Sequence, residues 1–270
     1  MTTITSIIPV PAVATTPTKP SSFTYVRYEL LRTFCNRRFM LFSLAFPLVL
    51  FFLVAGPNRH EQLGGINFAT YYMVGMLSWG SMTAVVGGGA RIAAERKVNW
   101  HRQLRITPLS PRTYFSAKIL SCYALASLSI GLLYAAGATM GVRLSALHWL
   151  ELTGYVLVAL VPFAVIGIAL GHVLSVDSMG PAIGGITSLF AVLGGAWGPL
   201  ASGGILGSIV KLLPSYWLVQ AGKTAAGGAA WPAKAWIVIA VWTLVSVRVA
   251  ALVYRRDTQR VLPGTRHRRS

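Results

Sequence analysis

Acidic side chains are nearly missing from this sequence. Six Asp and Glu stand against 24 Lys and Arg, and charged residues of both signs make up only 11% of the 270-residue chain. A soluble domain carries about 25%, so a water-solvated surface of ordinary size is excluded. The six acids, Glu29, Glu61, Glu95, Glu151, Asp177 and Asp257, all fall at or beyond the ends of apolar stretches. Carriers driven by protons or sodium place ionisable groups near mid-membrane, and this distribution argues against one. Cysteine is equally scarce. Cys35 and Cys122 show no CxxC or Cys/His spacing, which leaves no basis for a metal site or a disulfide framework; both read as small buried apolar residues.

The remaining candidates for chemistry are isolated. His60-Glu61 lacks the second histidine of a zinc-protease helix. His148 and Glu151, one helical turn apart, read as a wet interfacial pair, and His172 as a polar residue packed near the end of a span. Gly222-Lys223-Thr224 has the form of the end of a phosphate-binding loop, but Trp217 stands where that motif needs its first glycine. No Ser/His/Asp set converges. Catalysis by this chain is unsupported, and no cofactor or metal is expected in it.

What the sequence has is apolar length. Hydrophobic residues make up 54% of it, with a mean hydropathy of +0.62. They come in runs near the roughly 20 residues that cross a hydrocarbon core. The expected fold is an all-α integral membrane protein with six transmembrane helices, over residues 39–56, 68–89, 119–142, 152–176, 179–201 and 236–254. Pro47 and Pro162 fall inside spans, where neighbouring helices can re-satisfy the backbone. Residues 198–217 mix Gly and Pro with Ile205, Leu206, Ile209, Val210, Leu212 and Leu213. They are too broken to span and apolar enough to form a re-entrant hairpin before the last span. Small residues recur at Gly137/Gly141, Gly167/Gly171 and Gly180/Gly184, a spacing that lets helices approach closely in lipid, within one chain or between two.

Three parts are expected. Residues 1–20 are Thr/Pro-rich and read as a disordered cytoplasmic leader; residues 21–258 form the transmembrane domain; residues 259–270 form a basic tail. Residues 21–38 read as an interfacial amphipathic helix. Phe23, Val26, Leu30 and Phe34 share its apolar face, with Arg27, Glu29, Arg32 and Arg37 largely off it.

The net charge of +18 clusters at span ends, which points to topology rather than nucleic acid. Lys19, Arg27, Arg32, Arg37 and Arg38 precede the first span. Arg91, Arg96, Lys97, Arg102, Arg105, Arg112 and Lys118 surround the second connection, and Arg255, Arg256, Arg260, Arg266, Arg268 and Arg269 follow the last span. Only Arg59, Arg143, Lys211, Lys223 and Lys234 fall on the opposite side. Both termini and the second connection are therefore expected in the cytoplasm.

That connection, residues 95–118, is the most informative segment. Residues 95–105 can form a short helix, with Lys97, His101 and Arg105 stacked on one side and Trp100 and Leu104 paired on an adjacent strip. Pro108 ends it and pushes Thr107 to an extended form. Pro111 stiffens the return, while Tyr114, Phe115 and Lys118 mark the membrane interface. Physical chemistry alone leaves two partners open for this knuckle: anionic membrane lipid and a soluble protein.

Glu95-Arg96, Trp100, Gln103-Leu104-Arg105-Ile106-Thr107-Pro108-Leu109-Ser110 and Ala117-Lys118, with Leu213-Pro214-Ser215-Tyr216-Trp217 after the hairpin, resemble the membrane subunits of ABC-2-type exporters, including actinobacterial drug-resistance permeases. The resemblance covers nearly the whole chain. It implies a non-catalytic permease of a bacterial cell membrane, with ATP and Mg on a separate ABC ATPase subunit. A second permease chain, identical or paralogous, would complete the path. The substrate would be an amphipathic or hydrophobic drug, antibiotic or lipid. Phe42, Phe46, Met73, Met76 and Trp79 either line an apolar path that suits such a substrate or simply face lipid or core. Glu95, Arg96, Trp100, Gln103, Leu104, Arg105, Thr107 and Pro108 would couple to the ATPase. Leu206, Ile209, Leu213 and Pro214 would belong to an outer gate. Lys97 and Asn99 depart from the family's usual Glu and Gly. A stand-alone secondary transporter or channel is the alternative.

Overall fold

A computed structural model describes residues 22–36, 40–63, 65–98, 110–198, 204–227 and 231–260. Helix α1 spans Ser22–Cys35. A π-helical segment, Leu41–Ala45, runs straight into α2, Phe46–Ala55, with Pro47 in its first turn. That position suits proline, because the first amides of a helix have no intrahelical partner. A two-residue hairpin pairs β1 (Gln62–Leu63) with β2 (Ile66–Asn67), antiparallel, with Gln62 opposite Asn67. Asn67 then caps α3, its side chain accepting from the Ala69 amide.

Helix α3 runs 30 residues, Phe68–Lys97, about 45 Å at 1.5 Å per residue. It is the centre of the molecule, with residues from Ala69 to Gly89 buried almost without interruption. Around it pack α2, α4 (Pro111–Thr139), α6 (Val161–Val173), α7 (Val176–Gly194) and α9 (Pro214–Gly227). Helix α5 (Ala146–Ala159) packs on α9, the short α8 (Gly204–Val210) precedes α9, and α10 (Ala233–Arg260) lies on the outside of α6. Helix α1 lies against α4. Serine caps open three of these helices: Ser110, Ser145 and Ser175 each accept an amide three residues on.

Four helical segments are long and apolar enough to cross a membrane, Arg112–Thr139, Ala146–Val173, Val176–Gly194 and Ala233–Arg256, and Ser43–Ala55 is a shorter apolar helix. The chain is thus a mostly helical membrane protein. Helix α3 falls outside this set because Tyr71, Tyr72, Ser78, Ser81 and its glycines dilute its apolar content. It can be polar because its neighbours, rather than lipid, cover it. The reverse holds for α10, where Ile237, Val241, Leu244, Val245 and Leu252 are exposed, as a lipid-facing surface requires.

Several boundaries differ from the sequence expectation. The fourth expected span is two helices meeting at Leu160, because Pro162 supplies no amide to bridge the break. The second arm of the expected hairpin continues to Gly227, so Gly222-Lys223-Thr224 lies in a helix rather than a loop. A Cβ at Gly222 would meet Val74 at 2.2 Å, so this glycine serves a helix contact. Residues 95–97 form the last turn of α3 and do not begin a separate helix.

The glycine spacings separate cleanly. A Cβ at Gly89 would lie 2.0 Å from the Gly167 carbonyl oxygen, and one at Gly171 would lie 2.4 Å from that of Gly89. Helices α3 and α6 therefore cross backbone to backbone within the chain. At Gly180, Gly184 and Gly185 an added Cβ meets nothing within 4 Å.

Candidate functional site

Three polar stripes, each spaced by helical turns, converge where α3 ends and α4 begins. Helix α1 contributes Tyr25, Glu29 and Thr33; α3 contributes Arg91 and Glu95; α4 contributes Tyr114, Lys118 and Cys122. Residues four apart share a helix face, so each stripe presents its groups to the other two.

Lys118 is the centre. Its Nζ donates to Glu29 Oε1 at 2.7 Å and to Glu95 Oε1 at 2.5 Å. Glu29, Glu95 and Lys118 are 2%, 1% and 1% exposed. Tyr114 donates its hydroxyl to Glu95 Oε2 at 2.7 Å. Arg32, reaching in from the exposed side of α1, donates to Glu95 Oε1 at 2.9 Å. Arg91 lies 3.7 Å from Glu29 Oε1 and donates from Nη2 to Cys122 Sγ at 3.3 Å. Thr33 returns a hydrogen bond to the Glu29 carbonyl at 2.7 Å. Burial, reinforced by the Glu29 and Glu95 carboxylates, holds the Tyr25 phenol well above its usual range. Its ring centre is 6.4 Å from that of Tyr114.

Both carboxylates are saturated by cations, so neither is poised as a general base or a metal ligand. Among the described residues no group of three or more His, Cys, Asp or Glu could hold a metal ion. The arrangement is a joint. A buried ion pair contributes little net stability, but losing one partner strands a charge at a cost of about 3–5 kcal/mol. The joint therefore admits one register of α1 against α3 and α4. It also closes the base of the 98–110 connection, because Glu95 precedes that segment and Tyr114 and Lys118 follow it.

Sequence reasoning missed this cluster. Glu29 was expected off the buried face of its helix and instead lies at its centre, while Phe23 is 75% exposed. Glu29 and Glu95 lie away from mid-span, as the sequence indicates, yet both converge on Lys118. The available signal was the four-residue repeat Tyr25, Glu29, Thr33, a polar stripe running beside the apolar one. Cys35 is exposed rather than buried, whereas Cys122 is buried.

Of the expected coupling residues, Glu95 is held in the joint. Arg96 turns the other way and donates to the carbonyls of Gly171 and Leu174 at 3.2 and 3.4 Å, capping the end of α6. Asn99, Trp100, Gln103, Leu104, Arg105, Thr107 and Pro108 lie outside the described residues, whereas Lys97 closes α3. His172 is buried where expected, its ring near those of Phe115 and Tyr254. His148 bonds Ser145 at 2.9 Å as part of a helix cap.

At the opposite end of α3, α8 rests on Gly207 and Val210 and turns Leu206 and Ile209 outward. Leu213 is half-buried and Pro214 buried. Two indoles pin the turn between α8 and α9: Trp217 donates to the Lys211 carbonyl at 2.9 Å and Trp242 to that of Leu212 at 2.8 Å. Of the candidate path residues, Met73 and Met76 are fully buried in the core. Trp79 packs edge-on between Phe46 and Trp197, with ring centres 5.5 and 5.2 Å away; the side chain of Phe42 lies outside the described ones.

Residues 57–252 match the family described as ABC-2 family transporter protein. The chain is also similar to "Putative transport permease YvfS" of Bacillus subtilis (strain 168), with 27% identity over 194 residues, covering 70% of this chain and 78% of that protein.

Proposed function

The chain belongs to the ABC-2 family of transporter proteins, and on that premise we propose that it is the membrane-spanning subunit of an ATP-driven exporter. A separate ABC ATPase supplies the energy, a second permease chain completes the path, and the cargo is a hydrophobic or amphipathic drug, antibiotic or lipid. The assembly sits in a bacterial cytoplasmic membrane. Counting α2 and α3 with the four long apolar segments makes six spans, with both termini and the 98–110 connection on the cytoplasmic side.

The observation that carries this reading is the joint of Glu29, Lys118 and Glu95. It fastens both ends of the 98–110 connection to α1 and to the central helix. A push on that connection is thereby transmitted to α3 as a rigid body instead of being absorbed by a loose loop. Trp100 and Leu104 offer the apolar pair that docks on the ATPase; Glu95 and Arg96 position it from within the chain. Closure of the ATPase dimer on ATP moves two such connections, and α3 carries the motion to the opposite end. There Leu206, Ile209, Leu213 and Pro214 meet their counterparts across the path.

The test is co-purification with a partner ABC ATPase, followed by ATPase and transport assays in liposomes. Trp100→Ala with Leu104→Ala is expected to lower coupled ATPase activity at least tenfold while the permease stays folded. Unchanged assembly and turnover would refute the docking role. Transport by this chain without any ATPase would favour a stand-alone carrier instead.

A further inference from the structure

Among the described residues the joint holds two carboxylates, Glu29 and Glu95, against three cations, Lys118, Arg32 and Arg91. It therefore carries one unbalanced positive charge. The surplus has a direction. A cavity of about 410 Å³ opens beside it, walled by Arg32, Thr33 and Asn36 at the end of α1, by Ala90 and Arg91 on α3, and by Val176 at the start of α7. That volume lies within the usual range for ligand pockets, about 300–1,000 Å³.

Among the described residues no acidic one lines the cavity. Asp177, in the first turn of α7, instead lines a neighbouring recess with Arg96 and Lys97. Arg91 is largely buried, 13% exposed in its side chain, and its Nη1 is buried without a hydrogen-bond partner among the described residues. Nη1 stands 3.7 Å from Glu29 Oε1, beyond hydrogen-bond distance, so the Arg91 charge is only partly compensated within the joint. Val176 opens the 19-residue α7, whose N-terminal amides add partial positive charge. The carbonyls ending α1 oppose this, but two guanidinium groups outweigh them. The exposed Phe23, Tyr28 and Leu31 of α1 place this end of the molecule at the depth of lipid headgroups.

We propose that this cavity binds a phosphate monoanion presented by an acidic membrane phospholipid. Arg91 and Arg32 clamp the phosphate in the geometry that guanidinium groups favour, and Thr33 adds a hydroxyl. The bound lipid neutralises the joint and ties α1 to the start of α7. The proposal is independent of ATPase coupling and is tested without the ATPase.

The full chain, purified in an uncharged detergent and stripped of lipid, is titrated with dioctanoyl phosphatidylglycerol, dioctanoyl phosphatidylcholine and glycerol 3-phosphate, with binding read by native mass spectrometry. Phosphatidylglycerol is expected to bind at least tenfold tighter than either of the others. Ala90→Leu fills the cavity without touching a charge, and is expected to abolish that preference with the melting temperature of the lipid-free protein unchanged. Arg91→Gln abolishes it too, and Arg91→Lys retains part of it. Equal binding of glycerol 3-phosphate would overturn the lipid as the source of the phosphate. Equal binding of the two lipids, or a preference that survives both Ala90→Leu and Arg91→Gln, would overturn the site.

Discussion

At one end of α3, Glu29, Glu95 and Lys118 are 1–2% exposed and bonded to one another. At the other end, Leu206 and Ile209 are 51% and 52% exposed, on a seven-residue helix steadied by two indole hydrogen bonds to the turn that follows. The charged end is over-determined: its pieces fit in one arrangement, because every other arrangement strands a charge away from water. The apolar end is under-determined, because an exposed leucine in lipid or against another chain loses little by shifting. The proposed conversion of a push at one end into an opening at the other would draw on this inequality, with a stiff handle and a compliant gate.

The comparison can be broken most forcefully at its stiff end. Lys118→Met leaves Glu29 and Glu95 without their shared ammonium and is expected to cost about 3–5 kcal/mol, read as a lowered melting temperature of the detergent-solubilised chain. Adding Glu29→Gln to that variant should recover part of the loss, because the residues are coupled and their effects do not add. A full sum of the single effects would mean the joint is not a unit.

Next in size is Gly89→Leu, which drives a side chain into the Gly167 backbone beside the joint and should destabilise by about 3 kcal/mol. Gly184→Leu, facing open space, should shift the monomer's melting temperature little. Equal effects would erase the distinction between crossings inside the chain and faces left open.

The compliant end is expected to answer more quietly. Trp242→Phe removes the donor to the Leu212 carbonyl and should cost about 1 kcal/mol. The change should be visible mainly as faster thiol labelling of a cysteine placed at Ile209. The smallest stability effect belongs to Ile209→Ser, within about 0.5 kcal/mol as for exposed substitutions generally, yet coupled transport should fall several-fold. An Ile209→Ser variant with normal transport would remove that residue from the proposed gate.

Much of the architecture is legible without coordinates. The long apolar runs, the helix that precedes them and the broken segment before α10 follow from composition and periodicity over many residues, where individual errors average out. The joint is not legible in that way. Glu29 and Lys118 are 89 residues apart, and each alone resembles an ordinary charge at a span end. Periodicity places Glu29 beside an apolar face but does not tell which face meets a neighbour. The same limit applies to glycine: Gly167/Gly171 and Gly180/Gly184 share one spacing, and only the first pair meets another helix.

That this chain is a basic, multi-spanning helical membrane protein can be read from residue order alone, because hydropathy and helix caps are local properties that each segment carries with it. Which charges are buried together, that α3 rather than a more apolar helix is the centre, and that Arg91 borders a cavity emerge when the helices pack. Those outcomes depend on distances between segments far apart in the chain. They arise because ionised groups withdrawn from water must find partners, wherever in the sequence those partners lie.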